Sequence, residues 1–182
     1  IEKGGKLYTI VQFWMPAAKV DEAEQRDGIP YRQYISRGIL RTSGEHFVDY
    51  HDVFAWAAEL VEKYEILPLW TGYDRYSSQY LIKDMEAYGF HCDDVFQGYN
   101  MHPAIQQLEG LLGDGVIDIG DNDLLKMHLL DTALKSEGES RRSKIVKMDK
   151  RSHIDGTAAI LCALIVREKY YDTIGEQLKN AG

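Results

Sequence analysis

Cysteine is scarce in this 182-residue chain: Cys92 and Cys162 are too few and too isolated for a disulfide framework or a zinc site. A reducing, cytoplasmic setting is therefore expected. No apolar run approaches the roughly 20 residues that span a bilayer, and the first residues do not form a signal peptide, so no membrane partner is expected. Nothing resembles a Ser/His or Cys/His nucleophile pair, and neither cysteine has a basic neighbourhood that would activate a thiol. No Gly-rich loop ends in Gly-Lys-Ser/Thr, which excludes a phosphate-loop ATPase within these residues. Internal repeats and low-complexity tracts are absent as well. Positive charge is also in short supply. Lys and Arg number 21 against 29 Asp and Glu, and the net charge of -8 argues against a surface built for tight, non-specific nucleic-acid binding.

What is present fits one soluble domain, residues 1–182, with a hydrophobic fraction of 45% and a charged fraction of 27%. Residues 7–14 are β-branched and aromatic, follow Gly4-Gly5 and stop at Pro16, which predicts a strand entered from a turn. Such a strand implies a partner before Gly4, where only Ile1, Glu2 and Lys3 stand, so the chain is expected to begin in mid-fold. Helices are predicted over 19–26 and 31–37, separated by the turn Asp27-Gly28-Ile29-Pro30, and a brief strand over 39–42. The spacing of Val53, Phe54, Ala57, Leu60, Val61 and Tyr64 gives one helix face, with Asp49 or Asp52 at its start. Residues 66–73 read as a buried strand with an irregular beginning at Pro68, and Asp74 follows at its carboxyl end. Ser77 or Ser78 opens a helix to Tyr88, and residues 90–97 form a further strand. Pro103 sits in the first turn of a Leu-rich helix. A short strand over 116–119, a helix over 124–130, a polar loop over 136–140 and a strand over 144–148 come next. Strands alternating with helices indicate an α/β domain.

Residues 150–160 carry the most information. A basic approach, Lys150-Arg151-Ser152-His153, gives way at Asp155-Gly156 to an Ala- and Leu-rich run, which predicts a buried helix ending near Tyr170. Asp155 lies in its first turn, where the positive end of the helix dipole favours a carboxylate. Two readings are open: a helix-start acid, or a ligand. Between Arg141 and Arg151 six basic residues face the single Asp149, which suits either a solvated loop or a phosphate-facing edge on an acidic body. Asp74, at the end of a presumed central strand, stands where α/β sheets place their ligand sites. If Asp74 and Asp155 converge, they repel unless a cation joins them, and hard oxygen donors favour Mg²⁺ or Mn²⁺.

Three segments together resemble the nuclease domain of tailed-phage terminase large subunits, the DNA-packaging motors. They are Gly72-Tyr73-Asp74-Arg75-Tyr76 with Ser78-Gln79-Tyr80-Leu81; Gln97-Gly98-Tyr99-Asn100-Met101-His102-Pro103-Ala104; and Lys147-Met148-Asp149-Lys150 through Ile154-Asp155-Gly156 and Ala158-Ala159-Ile160. Phe13-Trp14-Met15-Pro16, Gly28-Ile29-Pro30-Tyr31, Gly38-Ile39-Leu40 and Val48-Asp49-Tyr50 match the family's earlier segments in order.

The resemblance implies a ribonuclease H-like fold, a mixed sheet flanked by helices, in which a few acids hold two divalent metals that cleave concatemeric double-stranded DNA. It casts Asp74 and Asp155 as catalytic metal ligands and Lys144, Lys147, Lys150, Arg151 and His153 as phosphate contacts. It also implies the terminase small subunit and the portal protein as partners, in the bacterial host cytoplasm. The family's first acid belongs to a first central strand that nothing in this sequence matches, so a fold lacking that strand, with a rearranged sheet, is expected. Two other readings follow: a catalytically silent docking or DNA-guiding fragment of the motor, and another ribonuclease H-like nuclease such as a resolvase or transposase. Residues 97–104 speak against the last.

Overall fold

Gly4 and Gly5 both take positive φ, 59° and 76°, the left-handed pair that closes a two-residue hairpin. In the computed structural model, which describes residues 1–75, 79–138 and 141–180, this turn joins β1 (Glu2–Lys3) to β2 (Lys6–Tyr8). β1 is thus a partner of β2 that stands before Gly4. The chain continues through β3 (Phe13–Met15), α1 (Val20–Asp27), α2 (Tyr31–Ser36), β4 (Leu40–Thr42), α3 (Tyr50–Tyr64) and β5 (Thr71–Asp74). Then come α4 (Gln79–Tyr88), β6 (Cys92–Val95), α5 (His102–Gly113), β7 (Ile117–Asp118) and α6 (Asp123–Leu130). The hairpin β8 (Thr132–Ser136) and β9 (Ser143–Lys147) precedes α7 (Asp155–Lys169) and α8 (Tyr171–Asn180).

The helix ends follow local chemistry. Gly28 closes α1 in the left-handed region, at φ 72°. Asp49 caps α3 by accepting from the His51 amide at 2.9 Å, and Asn122 caps α6 by accepting from Leu125 N–H at 2.9 Å. Pro103 occupies the first turn of α5. The helix start expected at Ser77 or Ser78 lies outside the described residues.

The mixed α/β class holds, but among the described residues the strands are divided among four small sheets: β1-β2-β7, β3-β4, β5-β6 and β8-β9. The strand expected over 7–14 forms in two pieces because its halves bond different partners. Leu7 pairs with Ile117, whereas Phe13 pairs in parallel with Leu40. The strand expected over 66–73 is ordered as β only from Thr71, after Pro68, whose missing N–H cannot join a ladder. β5 then runs parallel to β6, with Asp74 opposite Val95. β8 was not anticipated. It pairs antiparallel with β9, from Thr132 opposite Lys147 to Ser136 opposite Ser143.

α7 is the hub. Leu161 is fully buried, and the helix packs against α5, α6 and β5 in a core that includes Leu125, also fully buried. Burial of each such leucine contributes about 2 kcal/mol. Smaller clusters sit under α1 and α2, around Tyr31 and Leu40, and between α3 and α4, around Ile82 and Phe90. Gly72 sets how closely β5 approaches α7: a Cβ there would lie 2.5 Å from the Cys162 carbonyl oxygen and 2.9 Å from Val166 Cγ1. At the far end of the same contact the Trp70 and Tyr170 rings stack, 3.4 Å between centroids and 4° between planes. Because backbone rather than a flexible side chain blocks position 72, Gly72→Ala should destabilise the fold by about 1–3 kcal/mol in equilibrium denaturation. An unchanged midpoint would contradict this packing.

Candidate active site

The amino terminus of α7 is capped from a distance. Its N-cap position holds Ile154, which has no capping oxygen, and Asp155 is the first helical residue. The next amide, Gly156 N–H, donates to Nδ1 of His128 on α6 at 2.9 Å. The hydroxyls of Thr157 and Thr132 both donate to the His128 carbonyl, at 2.9 and 2.7 Å. His128 is buried. Burial pushes its imidazole down to about 4, against the opposing pull of the Asp155 and Asp131 charges. Asp155 itself is exposed, and among the described residues no hydrogen bond or ion pair engages its carboxylate.

Asp74 approaches the same end from the strand. Gly72 faces α7, and alternation along a strand turns Asp74 to that same face. From Trp70 beside Tyr170 to Gly72 beside Cys162, β5 runs toward the amino terminus of α7. Asp74 stands two residues beyond Gly72 on the strand, and Asp155 seven residues before Cys162 on the helix, so both carboxylates lie on the α7 amino-terminal side of the Gly72–Cys162 contact. The Asp74 charge reaches the Cys162 thiol, which burial foremost pushes up to about 11. Burial does the same to Cys92, so neither thiol is a nucleophile at neutral pH.

Behind this face lies a second constellation. The Asp27 carboxylate, 1% exposed, receives a two-pronged contact from Arg26 at 2.7 and 2.9 Å. It also meets Tyr31 Oη and His153 Nε2, each at 3.0 Å. Arg26 foremost, with His153 and Tyr31, holds this carboxyl well below the usual range despite its burial. His153 in turn stacks over His128, with centroids 6.0 Å apart at 24°, and its backbone N–H donates to Asp131 Oδ2 at 3.1 Å.

The basic residues divide. Lys147 lies on the side of β9 whose charge reaches His128, whereas Lys144 alternates to the other side, its ammonium 5.1 Å from the Tyr99 ring centroid. Lys150 and Arg151 are exposed in the turn before α7. Asp149 folds back there to accept from the Arg151 and Ser152 amides at 2.7 and 3.1 Å, an Asx turn that shapes this basic loop. His153 is only partly exposed, with Nε2 turned to Asp27. Asp27, His128 and Asp131 were not singled out in the sequence. Asp27 read as a turn residue and His128 as one position on an apolar helix, and only their convergence at α7 distinguishes them.

The donor set fits a hard divalent cation in part. Asp74 and Asp155 offer carboxylate oxygens at one end of the β5/α7 layer, and one or two carboxylates with water and substrate phosphate suffice for Mg²⁺. Among the described residues no group of three or more His, Cys, Asp or Glu side chains is placed to hold a metal.

His128 gives the fold a pH dependence. In the folded chain it takes up a proton only near pH 4, whereas the unfolded side chain does so near 6.5, so the unfolded state binds more protons between these values. The stabilisation is complete above pH about 6.5 and is lost as pH falls toward 4. Removing the titration in His128→Asn should flatten the decline in stability over that interval, read as denaturation midpoints against pH. Identical slopes for both proteins would contradict the buried, neutral imidazole.

Known proteins bear on the identity of this site. The model of the family described as terminase large subunit, endonuclease domain, matches residues 1–169. The terminase large subunit of Enterobacteria phage HK97 is 28% identical over 151 residues, covering 81% of this chain. The chain spans 29% of that relative's length. The crystal structure of the HK97 large terminase superposes at a TM-score of 0.72 and 27% identity, over 83% of this chain and 32% of that one. The large terminase nuclease of thermophilic phage G20c shares the fold at a TM-score of 0.52 and 13% identity, over 65% of this chain and 62% of that one. The same nuclease with bound magnesium matches at 0.50 and 15% identity, over 66% and 63%. The ribonuclease H-like α/β class expected from the sequence agrees with these matches, and the resolvase or transposase reading gives way. This chain belongs to the terminase large subunit endonuclease-domain family.

Proposed function

We propose that this chain is the nuclease of a phage DNA-packaging terminase, cutting concatemeric double-stranded DNA with Asp74 and Asp155 as ligands of Mg²⁺ or Mn²⁺. What supports the reading is that Asp74 ends β5, the strand packed against α7 through Gly72, and that Asp155 opens α7 itself. The G20c nuclease, solved with bound magnesium, supports a divalent cation in this fold. When bound, a pair of such ions would lower the pKa of an attacking water and offset charge on the leaving 3′ oxygen. The residues of the chain do the rest. Among the described residues no hydrogen bond or ion pair engages the Asp155 carboxylate, which stands at the positive end of the α7 dipole. Lys147, Lys150 and Arg151 are the residues best placed to hold phosphates beside Asp155; Lys144, on the other side of β9, and His153, turned to Asp27, are secondary. Small-subunit and portal contacts, in the host cytoplasm, complete the proposed setting.

Cleavage of plasmid DNA by the full chain with Mn²⁺ tests this. Asp74→Asn and Asp155→Asn should each lose on the order of 100-fold or more, the equivalent of roughly 3 kcal/mol of transition-state stabilisation. A silent DNA-guiding role has one observation on its side, the absence of a three-acid group among the described residues. Undiminished cutting by both variants, or no cutting by the unmodified chain, would favour it over the nuclease.

The basic edge makes a separate prediction. Neutralising Lys147, Lys150 or Arg151 to Gln should weaken DNA binding uniformly across sequences and reduce the slope of log affinity against log salt by about 1 per residue that contacts phosphate. An unchanged slope in all three would remove these residues from the interface.

A further inference from the structure

A helix that begins Ile154-Asp155-Gly156-Thr157 has an obvious alternative start. Isoleucine has no side-chain acceptor and is among the poorest N-cap residues, whereas aspartate is among the best. Shifted by one residue, the helix would use Asp155 as its cap, and the carboxylate would accept from the amides of Thr157 and Ala158. The structure instead keeps Asp155 inside the helix as its first residue. Three observations account for this register. With Ile154 at the cap, Ala158 N–H bonds the Ile154 carbonyl at 2.9 Å, and Gly156 N–H, which Ile154 has no side-chain oxygen to accept, is taken by His128 Nδ1 at 2.9 Å. The following residue is anchored as well, since the Thr157 hydroxyl donates to the His128 carbonyl at 2.9 Å. Finally, position 156 is built for the ring's approach: a Cβ there would meet Leu125 Cδ1 at 2.9 Å, Phe13 Cζ at 3.1 Å and His128 Nδ1 at 3.3 Å. Glycine is otherwise a poor choice inside a helix, and the closeness of Leu125, Phe13 and the imidazole together explains it. The ring is wedged from both sides, by the edge of Phe13 at 4.8 Å and by the face of His153, itself tied to Asp27.

We propose that His128 is a positioning residue that caps α7 in place of Asp155, so that the Asp155 carboxylate is left for a divalent cation instead of being consumed by its own helix. The proposal rests on the reading of Asp155 as a metal ligand. His128 touches neither cation nor DNA; it acts through the helix start. The chemistry requires one tautomer, with Nδ1 bare and the proton on Nε2.

Asparagine and leucine at position 128 separate capping from packing, because they are close in shape and only asparagine offers an acceptor, Oδ1, near the place of Nδ1. In the full chain, Mn²⁺ affinity measured by calorimetry should fall about 10-fold or more in His128→Leu and stay within about threefold of the original in His128→Asn, the range typical of residues that orient metal ligands. In an Asp155→Asn background His128→Leu should cause no additional loss. Equal affinities for the Leu and Asn variants, both strong or both weak, would overturn the proposal. A wild-type measurement covers a Leu variant that fails to fold: the ¹⁵N spectrum of His128 at neutral pH should show an unprotonated Nδ1, and a protonated Nδ1 would overturn the cap outright. Failure of the metal reading looks different. There Asp155→Asn alone leaves Mn²⁺ affinity unchanged, while the tautomer still reports the cap.

Discussion

Contact between α7 and β5 at Gly72 fixes the geometry on which the rest of this domain depends. With no side chain at position 72, the strand backbone comes against the helix backbone at Cys162. The Trp70–Tyr170 stack fixes one end of that contact and Gly72 its middle, so the axial register of strand against helix is determined at two points. Protein interiors transmit such constraints because they are close-packed. The amino terminus of α7 is fixed independently by α6, through His128 and the two threonine hydroxyls. Asp74 ends the strand and Asp155 opens the helix of this contact, so backbone packing governs where both residues stand.

Electrostatics follows from that placement. The body carries a net charge of -8, yet the end of the layer that presents Asp155 also presents the positive end of a 15-residue helix, together with Lys147 and the exposed Lys150 and Arg151. An acidic body of this kind disfavours non-specific contact with phosphate, whereas the local basic edge opposes that trend at one end. The buried Asp27, held ionised by Arg26, stiffens the loop that carries His153 toward α7. Behind the exposed Asp155 the support is therefore rigid.

Most of the helical framework was readable because its signals are local. Asp49, Gly28 and Pro103 each act within a turn of where they stand, and the Ala- and Leu-rich run after Asp155 forms the helix that its composition favours. Strands were less legible because pairing is decided by distant partners: residues 7–14 divide between Ile117 and Leu40, and β8 follows a Leu-rich helix with no turn signal of its own. α8 also went unforeseen, since the run after Tyr170 lacks the apolar continuity of α7. Of the candidate site, the places of Asp74 at the end of a strand and Asp155 at the start of a helix were legible. Their support was not. Asp27, His128 and Asp131 act on α7 across long sequence distances, and a lone histidine on an apolar helix face carries no mark of the amide it will cap.

Anomalous diffraction from crystals of the full chain grown with Mn²⁺ tests most directly whether Asp74 and Asp155 share a cation. The account predicts a manganese peak about 2.2 Å from a carboxylate oxygen of each, with the Gly156 amide still bonded to His128. A peak that touches only one of the two carboxylates, or an Asp155 side chain folded back onto its own helix amides, would contradict it.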